Sequence, residues 1–558
     1  SSTASSSPWR ACGPVYVRAC TQTTNTPLTW PDLPQGSPEQ WVTWLSAVWE
    51  DPSFVTAVRH ASPVLAHRAE AWLDGRTPRP ARARRLVAAV MRYLLRAGHR
   101  ATPFGLFAGV TTAGLADHAQ VEWNAPRTVT SVSGACVDET VRALESCPKL
   151  LAQATVTANP TMTIKDDQLI IPLVGRPDSA EHALSTTRQV QVSYSAPVAT
   201  AVNAALRPVP WKTVLATVCK TYPEGETRAA ESMLTRLVWA GALLTNLRPA
   251  STTPPQEHLA TVRAMARTSS EAEASRPSPP RPEVRSTDHS LSVDLGWEAE
   301  ITLPHAVARA AEEALTLVET LTEQYPGLPG WRGWSERFVT RYGTGNLMPV
   351  TEVVGPAGVG YPSWDRPTEH VLTPRDRWLL DHAQAAALEG RIEVDPTPLA
   401  KLSSPVSCVR SIDHTELNLR LESPSRKALE AGRFRLAILG VSRAAVTMAG
   451  RTATLTESAG QLRAVLDKAT DTMPVQLSFP PLRARHASVV RVPRLCEHVV
   501  HIAEHPAPGS VGVEDLAIGC DEYGLFVWSH TLERRVEPVV PHALNLRFAP
   551  ALARFLAE

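Results

Sequence analysis

The sequence predicts a multidomain α+β protein, with helices, mainly antiparallel sheets and an inserted winged helix-turn-helix module. Three observations support this fold class. The chain has 558 residues, and single hydrophobic cores rarely grow beyond about 250–300 residues, so several packed units are expected. Residues 160–248 change from strand periodicity to helical periodicity and back. The C-terminal half contains short segments that alternate apolar and polar residues, as half-buried strands do.

The inserted module is predicted to begin with a hairpin and to continue with three helices. TMTIKDDQLIIPL (161–173) suits two strands that turn at Asp166 and Asp167. Apolar residues then recur at helical spacing in three segments, and Gly241 is expected to end the third helix before a last strand. The third helix mixes Glu231 with arginines, so it lacks a basic face for DNA. A peptide-binding module and a purely structural one both remain open.

The remaining segments complete the predicted organisation. Pro, Ser and charged residues without apolar periodicity fill 268–288, which predicts a linker or long loop. An amphipathic core helix is expected over 305–325. Strands of a mainly antiparallel sheet are expected at 416–422, 434–440, 475–479, 513–519 and 524–530. The predicted units are therefore 1–155, the module at 156–250, the linker at 251–290, and 291–558.

Composition and missing motifs exclude several classes of protein. A net charge of +1 gives no global attraction to nucleic acid. The sequence contains no apolar run of the roughly 18 residues that a membrane helix needs and no secretory signal, so a cytoplasmic location without a membrane partner is expected. The eight cysteines form no C-x-x-C pair, which predicts free thiols rather than a zinc site. The sequence also lacks a P-loop, a G-x-S-x-G elbow and an H-E-x-x-H helix.

A helix rich in arginine is predicted over 81–98, closed by Gly98. At 100° per residue, four of its arginines fall on one stripe, opposite the apolar face. Such a stripe is either a solvated surface or a track for a phosphate backbone or another anion. The four residues are Arg82, Arg85, Arg92 and Arg96.

The stretch that follows this helix, HRATPFGLFAGV (99–110), combines turn residues with aromatic ones. Thr102 precedes a proline, which favours an extended backbone at that position. We therefore expect Arg100 and Thr102 to face one pocket, while Phe104 and Phe107 anchor the turn in the core.

The motif R-x-x-x-R-x-TPFGLFAG (96–109) resembles the N-terminal signature of the lantibiotic dehydratases. These enzymes dehydrate Ser and Thr in lanthipeptide and thiopeptide precursors by using glutamyl-tRNA. Two positions depart from the family pattern, since Ser488 replaces an Asn and Thr452 replaces a Phe. Further segments resemble the family in the same order, namely GPVYVRA (13–19), CVDETV (136–141), LSVDL (291–295), RYGTGNLMPVTEVVGPAGVGYP (341–362), AGR (449–451) and RHASVVRVPRL (485–495).

The resemblance implies an enzyme that passes glutamate from glutamyl-tRNA to Ser or Thr hydroxyls of a precursor peptide. The positions that match the family's transfer site are Arg96, Arg100, Thr102, Asp138, Asp294 and Arg451. We expect Arg100 and Arg451 to meet in one cationic pocket for a carboxylate or oxyanion, and Asp294 or Asp138 to hold an ammonium or act as base.

The same resemblance implies the partners. The module would recognise the leader of the precursor peptide, and the arginine stripe at 82, 85 and 92 would bind tRNA-Glu. Glutamyl-tRNA is a co-substrate, and no metal or other cofactor is expected. No elimination residues can be assigned, so either a separate elimination protein or a longer chain is expected to complete dehydration. The alternatives are a ligase that adds an amino acid from tRNA to a peptide C-terminus, and a non-catalytic leader-binding protein. Whether the chain forms a homodimer stays open.

Overall fold

The computed structural model describes residues 7–22, 29–172, 189–223, 226–271, 291–321, 330–364, 372, 374–390, 414–468, 472–483 and 486–558. Within these ranges, no helix has the length and apolar character needed to cross a bilayer. The cysteines described, which include all but Cys408, are free thiols, as predicted.

The N-terminal part combines a helical bundle with the first strands. Prolines begin the four bundle helices, where the missing N–H leaves no hydrogen bond unmade. Side chains such as Leu45, Val58 and Val87 form the core between these helices. The elements are β1 (Val15–Cys20), α1 (Pro38–Trp49), α2 (Pro52–Ala61), α3 (Pro63–Leu73), α4 (Pro80–His99), β2 (Gly105–Ala116), β3 (Gln120–Val132), α5 (Gly134–Glu145) and α6 (Pro148–Leu151).

The module contains the predicted hairpin and three helices around its own core, which includes Val156 and Leu234. Asp166 and Asp167 both adopt positive φ, at 49° and 57°, as a two-residue type I′ hairpin requires. Gly241 ends the third helix in the left-handed conformation, as predicted. The elements are β4 (Thr155–Ala158), β5 (Thr163–Lys165), β6 (Gln168–Pro172), β7 (Gln189–Ser193), α7 (Ala196–Ala204), β8 (Val209–Pro210), α8 (Trp211–Thr221), α9 (Thr227–Ala240) and β9 (Leu243–Thr245).

The C-terminal half surrounds a third core, in which Trp334, Phe338 and Phe479 are fully buried. Its elements are α10 (Pro255–Glu271), β10 (Leu291–Pro304), α11 (His305–Leu321), α12 (Trp331–Tyr342), β11 (Met348–Pro349), α13 (Val350–Val354), α14 (Pro374–Glu389), β12 (Leu417–Glu422), α15 (Arg426–Glu430), β13 (Arg435–Val441), α16 (Ala459–Leu466), β14 (Met473–Ser478), α17 (Ala487–Val490), β15 (His498–His501), β16 (Leu516–Asp521), β17 (Gly524–Ser529), β18 (Arg534–Val539) and α18 (Ala551–Ala557).

The strands form several small, mainly antiparallel sheets, as predicted. The N-terminal sheet has the order β1-β2-β10-β3, in which β10 runs parallel to β2. The module contains the sheets β8-β4-β9 and β5-β6-β7, and the C-terminal sheet has the order β11-β16-β17-β18-β14-β15. In that sheet β14 is parallel to both of its neighbours.

Three local predictions need correction. Strands β12 and β13 form a separate ribbon instead of joining the C-terminal sheet, because they pack over their own small core around Leu429. The predicted linker 251–290 begins with helix α10, which buries Leu259 and Val262 one turn apart. The rest of that stretch, 272–290, lies outside the described residues, as does the end of the helix predicted over 305–325. Of the strand predicted over 513–519, only the part from Leu516 onward is extended.

Candidate functional site

The end of α4 brings three of the predicted site residues together. Gly98 does not close this helix, which continues to His99 and ends at Arg100, where φ is −125° and ψ is 96°. Two residues further on, Thr102 directly precedes Pro103, which disfavours a helical backbone at Thr102 and so prevents the helix from continuing through this position. The Arg96 Nη2 donates to the Thr102 carbonyl over 3.4 Å, and its guanidinium lies 4.3 Å from the centre of the Phe104 ring.

Charge and burial distinguish Arg96 from the other arginines of α4. Burial, reinforced by the neighbouring Arg100 charge, lowers the pKa of Arg96. Arg82, Arg85 and Arg92 are exposed on the outer face of the helix. Arg96 is therefore half-buried against Phe104, whereas the other three arginines of the predicted stripe face solvent.

Asp294 and Arg451 form an ion pair although 157 residues separate them in the chain. The Arg451 Nη2 lies 2.5 Å from the Asp294 Oδ1, and the Arg451 Nε donates to the Ser488 carbonyl over 3.0 Å. The two side chains are 20% and 32% exposed. The Ser488 carbonyl thus holds the Arg451 side of the ion pair in place, while both side chains remain partly accessible to solvent.

The register of the N-terminal sheet places this ion pair next to the TPFG turn. Asp294 in β10 pairs with Gly105 at the start of β2, three residues after Thr102. Arg100 and Arg451 were expected to meet directly, but among the described residues no hydrogen bond or ion pair joins them. Arg451 pairs with Asp294 instead, because an opposite charge lies within its reach. The sheet register, rather than a shared guanidinium pocket, connects the two groups.

A cavity of about 240 Å³ opens along the sheet beyond the ion pair. Its wall includes Gly296, which faces the same side of β10 as Asp294 because side chains alternate along a strand. The opposite wall is the segment 455–457, which follows Arg451 in the chain. Polar side chains of Thr112, Arg127 and Glu457 also line the cavity.

Asp138 lies apart from the other site residues. It forms an ion pair with Arg248, just after the last module strand. The side chain of Asp138 is 13% exposed. Two more charged residues interact with this pair, Glu145 and Arg491. Burial raises the pKa of Glu145 and lowers the pKa of Arg491. The structure therefore places Asp138 at the junction between the module and the C-terminal half.

Sequence reasoning missed Arg18 and Glu416, which contact the segment leading to Arg451. The Glu416 carboxylate accepts the Met448 N–H over 2.5 Å, and the Arg18 Nη2 donates to the Met448 carbonyl over 3.3 Å. Arg18 lies in the segment GPVYVRA (13–19), which resembles the family, but that resemblance assigned it no role, and Glu416 belongs to an ordinary strand pattern without a local signal. Only the packing of distant segments reveals their role.

Known proteins match this chain in sequence pattern and in fold. Residues 50–277 and 256–558 match the family model described as lantibiotic dehydratase, N terminus. A search of curated proteins gives no match. The fold resembles the crystal structure of the tRNA-dependent lantibiotic dehydratase MibB from Microbispora sp. 107891, with a TM-score of 0.77 and 24% identity over 99% of this chain and 56% of that one. The chain thus spans little more than half the length of MibB.

A second fold match is the glutamylation domain TbtB from thiomuracin biosynthesis. It has a TM-score of 0.55 and 21% identity over 93% of this chain and 70% of that one. The same domain bound to 5'-phosphodesmethylglutamycin matches with the same TM-score at 20% identity.

Proposed function

The chain belongs to the lantibiotic dehydratase family, and we propose that it transfers glutamate from glutamyl-tRNA to Ser and Thr side chains of a ribosomal precursor peptide. This transfer is the first half of dehydration to dehydroalanine or dehydrobutyrine. The observation that carries the proposal is the Asp294–Arg451 ion pair, which lies in register with Gly105 of the TPFGLFAG motif.

The ion pair complements a glutamyl group. A glutamyl ester carries an α-ammonium and a side-chain carboxylate, so Asp294 can bind the first and Arg451 the second. In the unliganded protein the two residues neutralise each other, which avoids leaving either charge unpaired in a half-buried site. The substrate would exchange one ion pair for two. Arg96 and Arg100 add positive charge on the TPFG side, where the ester oxygen and the tRNA terminus would lie.

The transfer itself is an exchange between two esters. The Ser or Thr hydroxyl oxygen bonds to the ester carbonyl carbon, the bond from that carbon to the tRNA oxygen breaks, and the hydroxyl proton passes to the leaving oxygen. Both esters have similar free energies, so positioning and charge stabilisation suffice as sources of catalysis. Neither ATP nor a metal has a role in this step.

The exposed arginines of α4 supply a surface for the tRNA backbone. Arg82, Arg85 and Arg92 project from one helix that ends at the proposed site. Each phosphate contact releases counterions, so replacing one of these arginines by Gln is expected to reduce the salt dependence of tRNA binding by about one unit of log–log slope. A slope that stays constant in all three variants would contradict the proposed track.

The module offers sheet edges for the leader peptide. An extended peptide can add a strand to an open edge and place alternate side chains in pockets. The outer strand β5 carries Ile164, which is 47% exposed. We propose the module as the leader-binding part, and a separate elimination protein as the partner that removes glutamate.

Two other functions make different predictions. A ligase that extends a peptide C-terminus needs ATP even when charged tRNA is supplied, and a non-catalytic leader-binding protein shows affinity for the leader without any dependence on tRNA.

The test is mass spectrometry of precursor peptide incubated with the protein and pre-charged glutamyl-tRNA, without ATP. Peptide that gains the mass of glutamyl groups supports the proposal, and loss of these adducts in Asp294→Ala supports the site. Failure to form adducts, or adducts only with ATP, would overturn it.

A further inference from the structure

The segment that carries Arg451 is held by a carboxylate from elsewhere in the chain. We infer that Glu416 is a positioning residue that fixes the backbone of 446–449 and thereby sets the Arg451 guanidinium against Asp294. This inference rests on the proposed glutamyl transfer, and it assigns a role to a residue that contacts neither Arg451 nor Asp294.

Glu416 occupies a small anion-binding concavity of the backbone. Its two carboxylate oxygens accept the N–H groups of Met448 at 2.5 Å and of Ala449 at 3.2 Å. A further backbone hydrogen bond comes from Val446. Several N–H groups of one turn that converge on one anion form a nest, which stabilises negative charge without a metal or a basic side chain.

The turn held in this way has an unfavourable backbone conformation. Val446 has a φ of 66° and is fully buried. A β-branched residue rarely adopts this left-handed conformation, so surrounding interactions must enforce it. The hydrogen bonds to Glu416 are such interactions, because they satisfy the N–H groups that the turn directs inward.

Arg18 completes the arrangement from the other side. It donates to the Met448 carbonyl, so the backbone N–H and the backbone carbonyl of Met448 both have charged partners, Glu416 and Arg18. Burial raises the pKa of Glu416, while the backbone N–H groups and the Arg18 charge oppose this rise. Arg18 belongs to β1, which pairs with β2 at Val110. The hydrogen bond from Arg18 therefore connects the turn to the sheet that carries Asp294.

The position of the turn determines the position of Arg451, which follows it directly in the chain. The Gly450 N–H donates to the Val446 carbonyl over 2.8 Å, and the 3₁₀ turn Gly450–Thr452 follows. Arg451 then reaches Asp294 and the Ser488 carbonyl with different nitrogens of one planar group. Because this group is rigid, a shift of the backbone moves both contacts together.

The test compares three variants in the transfer assay, with the full chain and pre-charged glutamyl-tRNA. Glu416→Gln keeps the shape of the side chain but removes its charge, and Arg451→Lys removes the planar guanidinium. Glu422→Gln is the matched control, because Glu422 lies on the adjacent strand β12 in an exposed ion pair. Misplacement of a catalytic group by about 1 Å costs about 100-fold in rate. We expect Glu416→Gln to lower kcat by about 10- to 100-fold with little change in KM for glutamyl-tRNA, and Glu422→Gln to leave both constants unchanged.

A double variant separates positioning from general stabilisation. If Glu416 acts through Arg451, Glu416→Gln should cause little further loss in a chain that already carries Arg451→Lys. If Glu416→Gln does not fold, Glu416→Asp, which keeps the charge at a shorter reach, takes its place. A kcat within twofold of the unsubstituted protein, or an equal fold-loss in both backgrounds, would overturn the positioning role alone. Absence of adducts from the unsubstituted chain would instead overturn the proposed function and, with it, this inference.

Discussion

Gly450 is the position at which one added carbon should disturb the proposed site most. A Cβ built on this glycine would lie 2.4 Å from the Pro541 carbonyl oxygen and 2.7 Å from the Pro541 Cβ. Both atoms belong to a rigid proline in another segment, so a side-chain rotation cannot relieve the contact. Gly450→Ala must therefore move the turn that carries Arg451.

The structure sets the size of this effect. Contacts of a real Cβ are rarely shorter than 3.0 Å, so the turn and Pro541 must separate by at least about 0.6 Å, and overpacking of this kind costs about 1–3 kcal/mol. For a cooperative unit of about 150–250 residues, 1 kcal/mol corresponds to about 2–4 °C in Tm, so a decrease of about 2–12 °C is expected. The glutamyl transfer rate should fall by about 10-fold or more, because Arg451 moves with the turn.

Thermal unfolding and the transfer assay measure the two effects. Gly460→Ala in α16 is the matched control, since nothing lies within 4 Å of its added Cβ. Alanine is also favoured over glycine in a helix by up to about 1 kcal/mol, so the control should leave Tm unchanged or raise it slightly. A Gly450→Ala protein with an unchanged Tm and an unchanged transfer rate would refute the steric reasoning.

Three further predictions concern single side chains. Arg451→Lys should lower the transfer rate at least about tenfold, because an ammonium cannot reproduce the planar guanidinium that contacts both Asp294 and the Ser488 carbonyl. Its circular dichroism spectrum should match that of the unsubstituted protein. A transfer rate near normal would show that the planar guanidinium is not required. Burial lowers the pKa of His542 from 6.5 to about 4, so the unfolded state binds a proton more readily, and about 3 kcal/mol of stability that is present above pH 6.5 is lost as pH falls from 6.5 to 4. Tm measured from pH 7.5 to 4 should fall less steeply in His542→Phe, and an equal slope would count against the assignment. Asp138→Ala should lower the free energy of unfolding in urea by about 1–3 kcal/mol, because Arg248 loses its directly bonded partner and keeps only the more distant charges of Glu145 and Glu504. Adding Arg248→Ala should then cost little more, and fully additive losses would show that the pair is not coupled.

Local structure could be predicted wherever a few adjacent residues decide it. The two aspartates at 166–167 supply the positive φ of a tight hairpin, and Gly241 supplies the left-handed end of α9. The end of a helix was harder to predict where two sequence signals, such as a glycine and a following proline, indicated different positions. Gly98 suggested an end to α4, but the helix continues to His99, and Arg100 is already extended two residues before Thr102, the position that Pro103 restricts.

Strand partners and charge partners could not be predicted, because they depend on segments that are distant in the chain. Alternation along 475–479 indicates a strand, yet it does not show that β14 lies parallel to both neighbours. The pairing of Arg451 with Asp294 spans 157 residues. The resemblance named both residues as members of one site, and the structure adds that each is the other's partner.

The two groups of site residues are linked through one short segment, although Asp138 contacts none of the others. The Ser488 carbonyl accepts the Arg451 Nε, and three residues later the Arg491 Nη1 donates to the Val132 carbonyl over 2.8 Å. Val132 immediately precedes the cap of α5, the helix that carries Asp138. A change at Asp138 therefore has a continuous physical route to Arg451 through hydrogen bonds and one helix start. Asp138 can consequently affect transfer without touching the glutamyl group, and its substitution should lower stability and rate together, whereas Arg451→Lys should lower the rate alone.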